Sequence, residues 1–150
     1  SNDVDFGISP QGNIDNNAKI YADVKSWCIC KGFVDYICPQ LYYSLDNPAL
    51  TFEDSLAAWS DLDINKSVKL YVGLAGYKAN SDADEGTWLY SNNILADEYK
   101  TAVNNEKVSG IMLYSYSALK DENASTEIAN LTKAMSNNLD AENQTTVPIQ

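Results

Sequence analysis

The stretch Val34-Asp35-Tyr36-Ile37-Cys38-Pro39-Gln40-Leu41-Tyr42-Tyr43, followed by Val68-Lys69-Leu70-Tyr71-Val72-Gly73-Leu74-Ala75-Gly76-Tyr77, decides the fold class. Both runs are rich in β-branched and aromatic residues and read as strands. Alternate side chains of a strand point to opposite faces. In the second run one face carries Val68, Leu70, Val72 and Leu74, and the other Lys69, Tyr71, Gly73, Ala75 and Tyr77. In the first, Asp35, Ile37, Pro39, Leu41 and Tyr43 lie opposite Tyr36, Cys38, Gln40 and Tyr42. An aliphatic face suits a covering layer of helices, whereas a mixed aromatic and small face suits the inside of a barrel opening into a polar mouth.

Outward from these runs the same rhythm repeats. Val4 to Ser9 and Val108 to Ser117 read as further strands. Helical spacing of apolar residues predicts helices over Ala18 to Cys30 (Ile20, Tyr21, Val24, Trp27, Cys28), after an N-cap at Thr51 (Phe52, Leu56, Trp59, Leu62), and over Ile94 to Val103 (Leu95, Tyr99, Ala102, Val103). A last helix is expected from a Ser125 cap, with Ile128, Leu131 and Met135 as its stripe. Strict alternation of this kind gives an α/β fold of four βα units with a parallel sheet. The long connections, above all Lys78 to Asn93, follow strands, so they gather at the carboxyl ends where parallel folds place their sites. Two architectures fit: the carboxyl-terminal half of a (β/α)8 TIM barrel, or a small doubly wound parallel sheet. No glycine-rich nucleotide fingerprint supports the second. The expected organisation is one domain over 1–138 and a polar tail or linker over 139–150.

Composition excludes much chemistry. The 150 residues carry 10 Lys against 21 Asp and Glu, a net charge of −11, with no Arg and no His. Histidine bases, imidazole metal sites and arginine clamps on phosphate are absent. Nucleic acid is therefore an unsuitable partner, and no apolar run reaches the roughly 20 residues of a membrane helix. Cys28, Cys30 and Cys38 are read as buried free thiols, since a zinc site lacks a fourth ligand. No metal and no cofactor is expected. Ser1-Asn2 resembles the remnant of a cleaved tag, so the chain is expected to be a piece of something longer.

The segments Phe6-Gly7-Ile8-Ser9-Pro10, Tyr21-Ala22-Asp23-Val24-Lys25-Ser26-Trp27, Val34 to Tyr43, Leu70-Tyr71-Val72-Gly73-Leu74-Ala75-Gly76-Tyr77-Lys78 and Gly110-Ile111-Met112-Leu113-Tyr114-Ser115-Tyr116-Ser117-Ala118-Leu119 resemble the carboxyl-terminal half of the glycosyl-hydrolase-like family 10 barrels of bacteria. The resemblance implies strands five to eight of a TIM barrel. It also implies that the acidic pair doing the chemistry lies upstream of Phe6, at the end of strand four. Gln11 stands where the family tends to carry an aromatic. Export to the envelope or beyond follows from the same resemblance.

Glycoside hydrolysis normally needs two carboxyls flanking the scissile bond, yet the strand ends Ser9 to Gln11, Gln40 to Ser44, Ala75 to Lys78 and Ser115 to Leu119 hold no acid. Asp35 sits at the beginning of its strand, where a structural role is expected, and Asp46, Asp82, Asp84, Glu85, Asp121 and Glu122 read as solvated loop acids. No catalytic residue is assigned. The strand ends do offer hydrogen-bonding and stacking groups suited to sugar hydroxyls and C–H faces: Gln40, Tyr42, Tyr43, Tyr77, Lys78, Ser115 and Tyr116. Trp88 is either a sugar platform or a loop anchor. The function expected is the substrate-lining half of a glycoside hydrolase acting on a polysaccharide or cell-wall glycan, inactive alone; the alternative is a non-catalytic carbohydrate-binding or scaffold module. The expected partners are carbohydrate and either the missing half-barrel or a second copy, because a half-barrel leaves two sheet edges and its inner face open.

Overall fold

The computed structural model describes residues 4–145, with side chains through residue 139. Four parallel strands form one sheet in the order β1 (Gly7–Ile8), β2 (Tyr36–Ile37), β3 (Lys69–Ala75), β4 (Val108–Tyr114). Strand order follows chain order with no reversal, so these strands contain no topological switch point of the kind a doubly wound sheet uses. The α/β class with a parallel sheet stands as the sequence indicates.

The first two strands are much shorter than their apolar runs, and proline is the reason. Pro10 and Pro39 have no N–H to give to a ladder. Pairing nevertheless continues beyond them: Cys38 N donates to Ile8 O at 2.8 Å, Gln40 N to Pro10 O at 2.9 Å and Gly73 N to Pro39 O at 3.0 Å. Isolated bridges join Gln11 to Gln40 and Gln40 to Gly73. Between β3 and β4 the register slips after Leu70, where Tyr71 pairs with Gly110 rather than Ser109. Gly110 absorbs this at φ 152, where a side chain is disfavoured.

Helices α1 (Ile14–Lys19), α2 (Val24–Ile29), α3 (Phe52–Ser60), a distorted turn α4 (Ala83–Gly86), α5 (Ile94–Val103) and α6 (Ser125–Thr145) complete the chain. The single helix expected over Ala18 to Cys30 is two, because the sequence holds two caps. Asn13 Oδ1 accepts from Asp15 N and Asn16 N to begin α1, and Asp23 accepts from both the N–H and the hydroxyl of Ser26 to begin α2. Between them Tyr21 takes φ 61, which throws Ile20 and Tyr21 into solvent. Thr51 does cap α3, its Oγ1 accepting from Asp54 N at 3.1 Å. Thr51→Ala is expected to lower the unfolding free energy by about 1 kcal/mol, measurable by urea titration. Ser125 is not a cap but the first residue of α6, preceded by a 3-10 turn over Glu122–Ala124. Helix α6 runs on to Thr145, through part of the stretch expected to be a polar tail; 146–150 lie outside the described residues.

The core lies mainly on one face of the sheet, although Cys38 and Ala75 on the other are also buried. Ile37, Leu70, Val72 and Leu74 are at most 1% exposed and pack in one cluster with Val24, Cys28, Phe52, Leu56, Trp59, Leu95, Tyr99 and Leu131 from the helices. The rest of that opposite face is open. Tyr36 and Tyr71 are partly covered by each other, ring centroids 5.6 Å apart, while Met112 and Tyr114 are 40% and 57% exposed. Of the three free thiols Cys28 and Cys38 are buried, and burial pushes each up to about 11; Cys30 is exposed, at the end of α2, against expectation.

Candidate carbohydrate site at the strand ends

The carboxyl ends of β2, β3 and β4 converge on an aromatic wall. Tyr42 follows β2, Tyr77 lies in the 3-10 turn after β3, and Tyr114 ends β4. Tyr42 stacks on Tyr114 at 5.8 Å with 23° between the planes, and Tyr77 meets both edge-on at 5.9 Å. Offset-stacked and edge-to-face pairs are the arrangements the ring quadrupole favours. Gly73 makes room for it, since a Cβ there would lie 3.0 Å from Pro39 O and 3.3 Å from the Tyr42 ring. Desolvation, with Cys38, Tyr77 and Tyr114 nearby, pushes the Tyr42 phenol up to about 12. Burial, then Asp84 and Tyr114, also raises Tyr77. Both phenols therefore stay protonated at neutral pH and are available as hydrogen-bonding groups.

The other residues singled out in the sequence fall around this wall or behind it. Gln40 is half-buried, its amide Nε2 donating to Ser9 O at 3.0 Å and tying the ends of β1 and β2 together. Tyr43 is half-buried behind Gly12, its hydroxyl bonded by the Asn13 N–H; desolvation is the larger effect and raises it. The hydroxyls of Ser115 and Ser117 lie 2.7 Å apart after β4, and Tyr116 stands 70% exposed with the Lys120 ammonium 4.8 Å over its ring. Lys78 and Trp88 are corrections. Lys78 is turned inward, donating to Tyr42 O at 2.6 Å and Asp84 Oδ1 at 2.7 Å. Trp88 is fully buried with its indole N–H on Asp84 Oδ2 at 2.9 Å, so it anchors the loop and offers no platform.

Asp84 is itself a correction to the reading of loop acids as solvated. Its carboxyl takes Lys78, Trp88, Asn47 and, at 3.4 Å, Ser44 N; these donors outweigh its burial and hold it below the usual carboxylate range. No sequence motif announces this, because its partners come from loops up to 40 residues apart. Asp35 has the structural role expected, accepting from Phe6 N at 2.7 Å at the other end of the sheet. Among the described residues no group of three or more His, Cys, Asp or Glu is placed to hold a metal ion.

With this geometry in place the kinship is clear. The sequence matches the family described as Glycosyl hydrolase-like 10 over residues 2–90, more than half of the chain. The chain belongs to this family. Within the Glycosyl hydrolase-like 10 family it is similar to Glycosyl hydrolase YngK of Bacillus subtilis, 35% identical over 97 residues, which is 54% of this chain and 19% of that protein. It is similar also to Glycosyl hydrolase DigH of Escherichia coli K12, 26% identical over 129 residues, 74% of this chain and 29% of that protein. The chain thus spans less than a third of the length of these relatives. The matched family region takes in β1, β2 and β3 and ends at Tyr90, so the strand ends bearing Tyr42 and Tyr77 fall inside it. No helix among the described residues is long and apolar enough to cross a membrane.

Proposed function

We propose that this chain is the substrate-lining part of a (β/α)8 glycoside hydrolase barrel, acting on a polysaccharide or cell-wall glycan, with the catalytic carboxyls supplied from another part of the protein. The single observation that carries this reading is the Tyr42–Tyr77–Tyr114 wall at the carboxyl ends of parallel strands, the end of such sheets where ligands bind. Sequential strand order and helices on one face only favour a barrel segment over a doubly wound sheet. The names of the relatives support glycoside chemistry. The inward turn of Lys78 and the pairing of Asp84 leave the wall without a free acid and base of its own, an observation that also favours the second reading, a carbohydrate-binding module. Export from the cytoplasm goes with either, and fractionation of the source cells tests it: a wholly cytosolic protein overturns that part.

The purified chain is expected to bind oligosaccharides without cleaving them. Removing one ring of the wall, by Tyr77→Ala or Tyr114→Ala, is expected to weaken binding about tenfold, equivalent to about 1.4 kcal/mol, measured by calorimetric titration. Hydrolysis of a chromogenic glycoside by the chain alone, abolished by substituting its loop acids, would show that the chemistry resides here instead. Binding that ignores both rings would show that the wall is only packing.

A further inference from the structure

Lys78 and Asp84 form the only ion pair among the described residues with both side chains largely covered, at 14% and 13% exposure, against 59% and 46% for Lys100 and Asp97. The pair is a junction rather than an isolated contact. Asp84 gathers the Lys78 ammonium from the end of β3, the Trp88 indole from the following loop, and Ser44 N and the Asn47 side chain from the loop after β2. The Ser44 and Thr87 hydroxyls, 2.6 Å apart, close a second link between the same loops, and Thr87 Oγ1 donates to Asp84 O at 3.0 Å. Asp84 and Glu85 are held at φ 52 and 58, left-handed positions that L residues keep only where the surroundings over-determine them. From Lys78 the connection goes on, by the 2.6 Å bond to Tyr42 O, to the peptide that carries the stacked ring.

We propose that Asp84 is a positioning residue: acting through Lys78, it fixes the Tyr42 backbone and with it the geometry of the Tyr42–Tyr77–Tyr114 wall. The role of that wall in saccharide binding rests on the function proposed above; the positioning itself does not. The physical reason is the largely covered ammonium. Lys78 reaches the Tyr42 carbonyl at 2.6 Å from a site with little access to water, where the Asp84 carboxylate 2.7 Å away is its counter-charge. Asn at position 84 keeps the shape but removes the counter-charge, so Lys78 must swing out to water and release the Tyr42 carbonyl.

Two variants of the whole chain separate this from simple loop anchoring. Lys78→Met cuts the connection to Tyr42 while leaving Asp84 to accept from Trp88; Asp84→Asn cuts it at its origin. Near-ultraviolet circular dichroism reads the packed tyrosines and acrylamide quenching reads the buried tryptophans, with far-ultraviolet spectra confirming the fold. Both variants are expected to lose about half of the tyrosine ellipticity and to weaken oligosaccharide binding about tenfold, while only Asp84→Asn raises quenching, by about twofold. An Asp84→Asn protein with raised quenching but parental tyrosine ellipticity would overturn the proposal and leave Asp84 as a loop anchor. Should Asp84→Asn not fold, Lys78→Met decides on the tyrosine ellipticity alone. If the parent protein binds no saccharide, the proposed function fails while the ellipticity still judges the positioning.

Discussion

At micromolar concentration the purified chain is expected to sediment as a dimer or larger species rather than at its monomer mass of 16.5 kDa. All-parallel sheets occur almost only with both faces covered, and here the helices cover one. The uncovered face carries Tyr36, Tyr71, Met112 and Tyr114, and Phe6 at the β1 edge is 59% exposed. The two edges differ. Strand β1 has two residues and is soon followed by Pro10, a blunt edge, whereas β4 offers seven residues of unpaired backbone. A twofold axis parallel to the strands sets β4 of one copy beside β1 of the other, in parallel, twice over, and closes eight strands around the exposed face. A charge in the middle of that face should break the association, so Met112→Asp is expected to shift the population to monomer by at least tenfold in dissociation constant, read by analytical ultracentrifugation. A parent chain that stays monomeric and fails to bind a hydrophobic dye would show that this face is covered by the chain itself, and the barrel-segment reading would give way to a self-contained sheet.

Stability is expected to fall as pH rises above about 5, the reverse of the usual carboxylate behaviour, and Glu98 is the cause. Its side chain is fully buried on α5, and neither carboxyl oxygen has a hydrogen-bond partner. Desolvation is the largest influence on it; the Glu127 carboxylate of α6 and, more weakly, Asp84 also raise it, while Lys78 opposes them, and the result lies well above the ordinary value of 4.5. The folded state therefore keeps a proton that the unfolded chain releases near pH 4.5. The stabilisation is complete below that pH and is lost as pH rises towards the folded value, at about 1.4 kcal/mol per pH unit. Glu98→Met removes the titration and suits an apolar site. Urea melts at pH 5, 6, 7 and 8, at fixed protein concentration, are expected to converge at the acid end and to favour the variant increasingly above it. Equal slopes for the two proteins would show that Glu98 finds a partner or water in solution.

The same residue shows where reading the sequence succeeds and where it stops. Helix α5 spans Ile94–Val103, as the stripe Leu95, Tyr99, Ala102 indicates, yet Glu98 lies on that stripe, three residues after Leu95. Hydrophobic periodicity passes over a glutamate, although its position alone puts it in the core. The Thr51 cap, the parallel sheet and the aliphatic face of β3 were legible because each is set by neighbours along the chain or by alternation. The division of α1 from α2 was legible in principle, from Asn13 and Asp23 as caps, but the apolar pattern of Ile20 and Tyr21 bridges the gap. At the site, the positions of Tyr42 and Tyr77 at the strand ends follow from counting residues along strands. The inward turn of Lys78 and the burial of Trp88 do not, because both are decided by Asp84 in a loop whose left-handed backbone has no glycine to signal it.

Helix α5 has no cap of its own. Asn93 makes no side-chain bond at its beginning; instead Glu127, two elements later, accepts Ile94 N at 3.1 Å, Leu95 N at 3.0 Å and the Ser91 hydroxyl at 2.9 Å, and Asn130 Nδ2 donates to Asn92 O at 2.7 Å. A carboxylate facing the first turn satisfies its orphan N–H groups and its dipole together. The third and fourth βα units are thereby not interchangeable bricks: the third carries an unfinished end that only the fourth completes. Shuffling, duplication or truncation of this region has to move both units as a block, so the connection between α5 and β4 is not a boundary at which such a protein can be cut and rejoined.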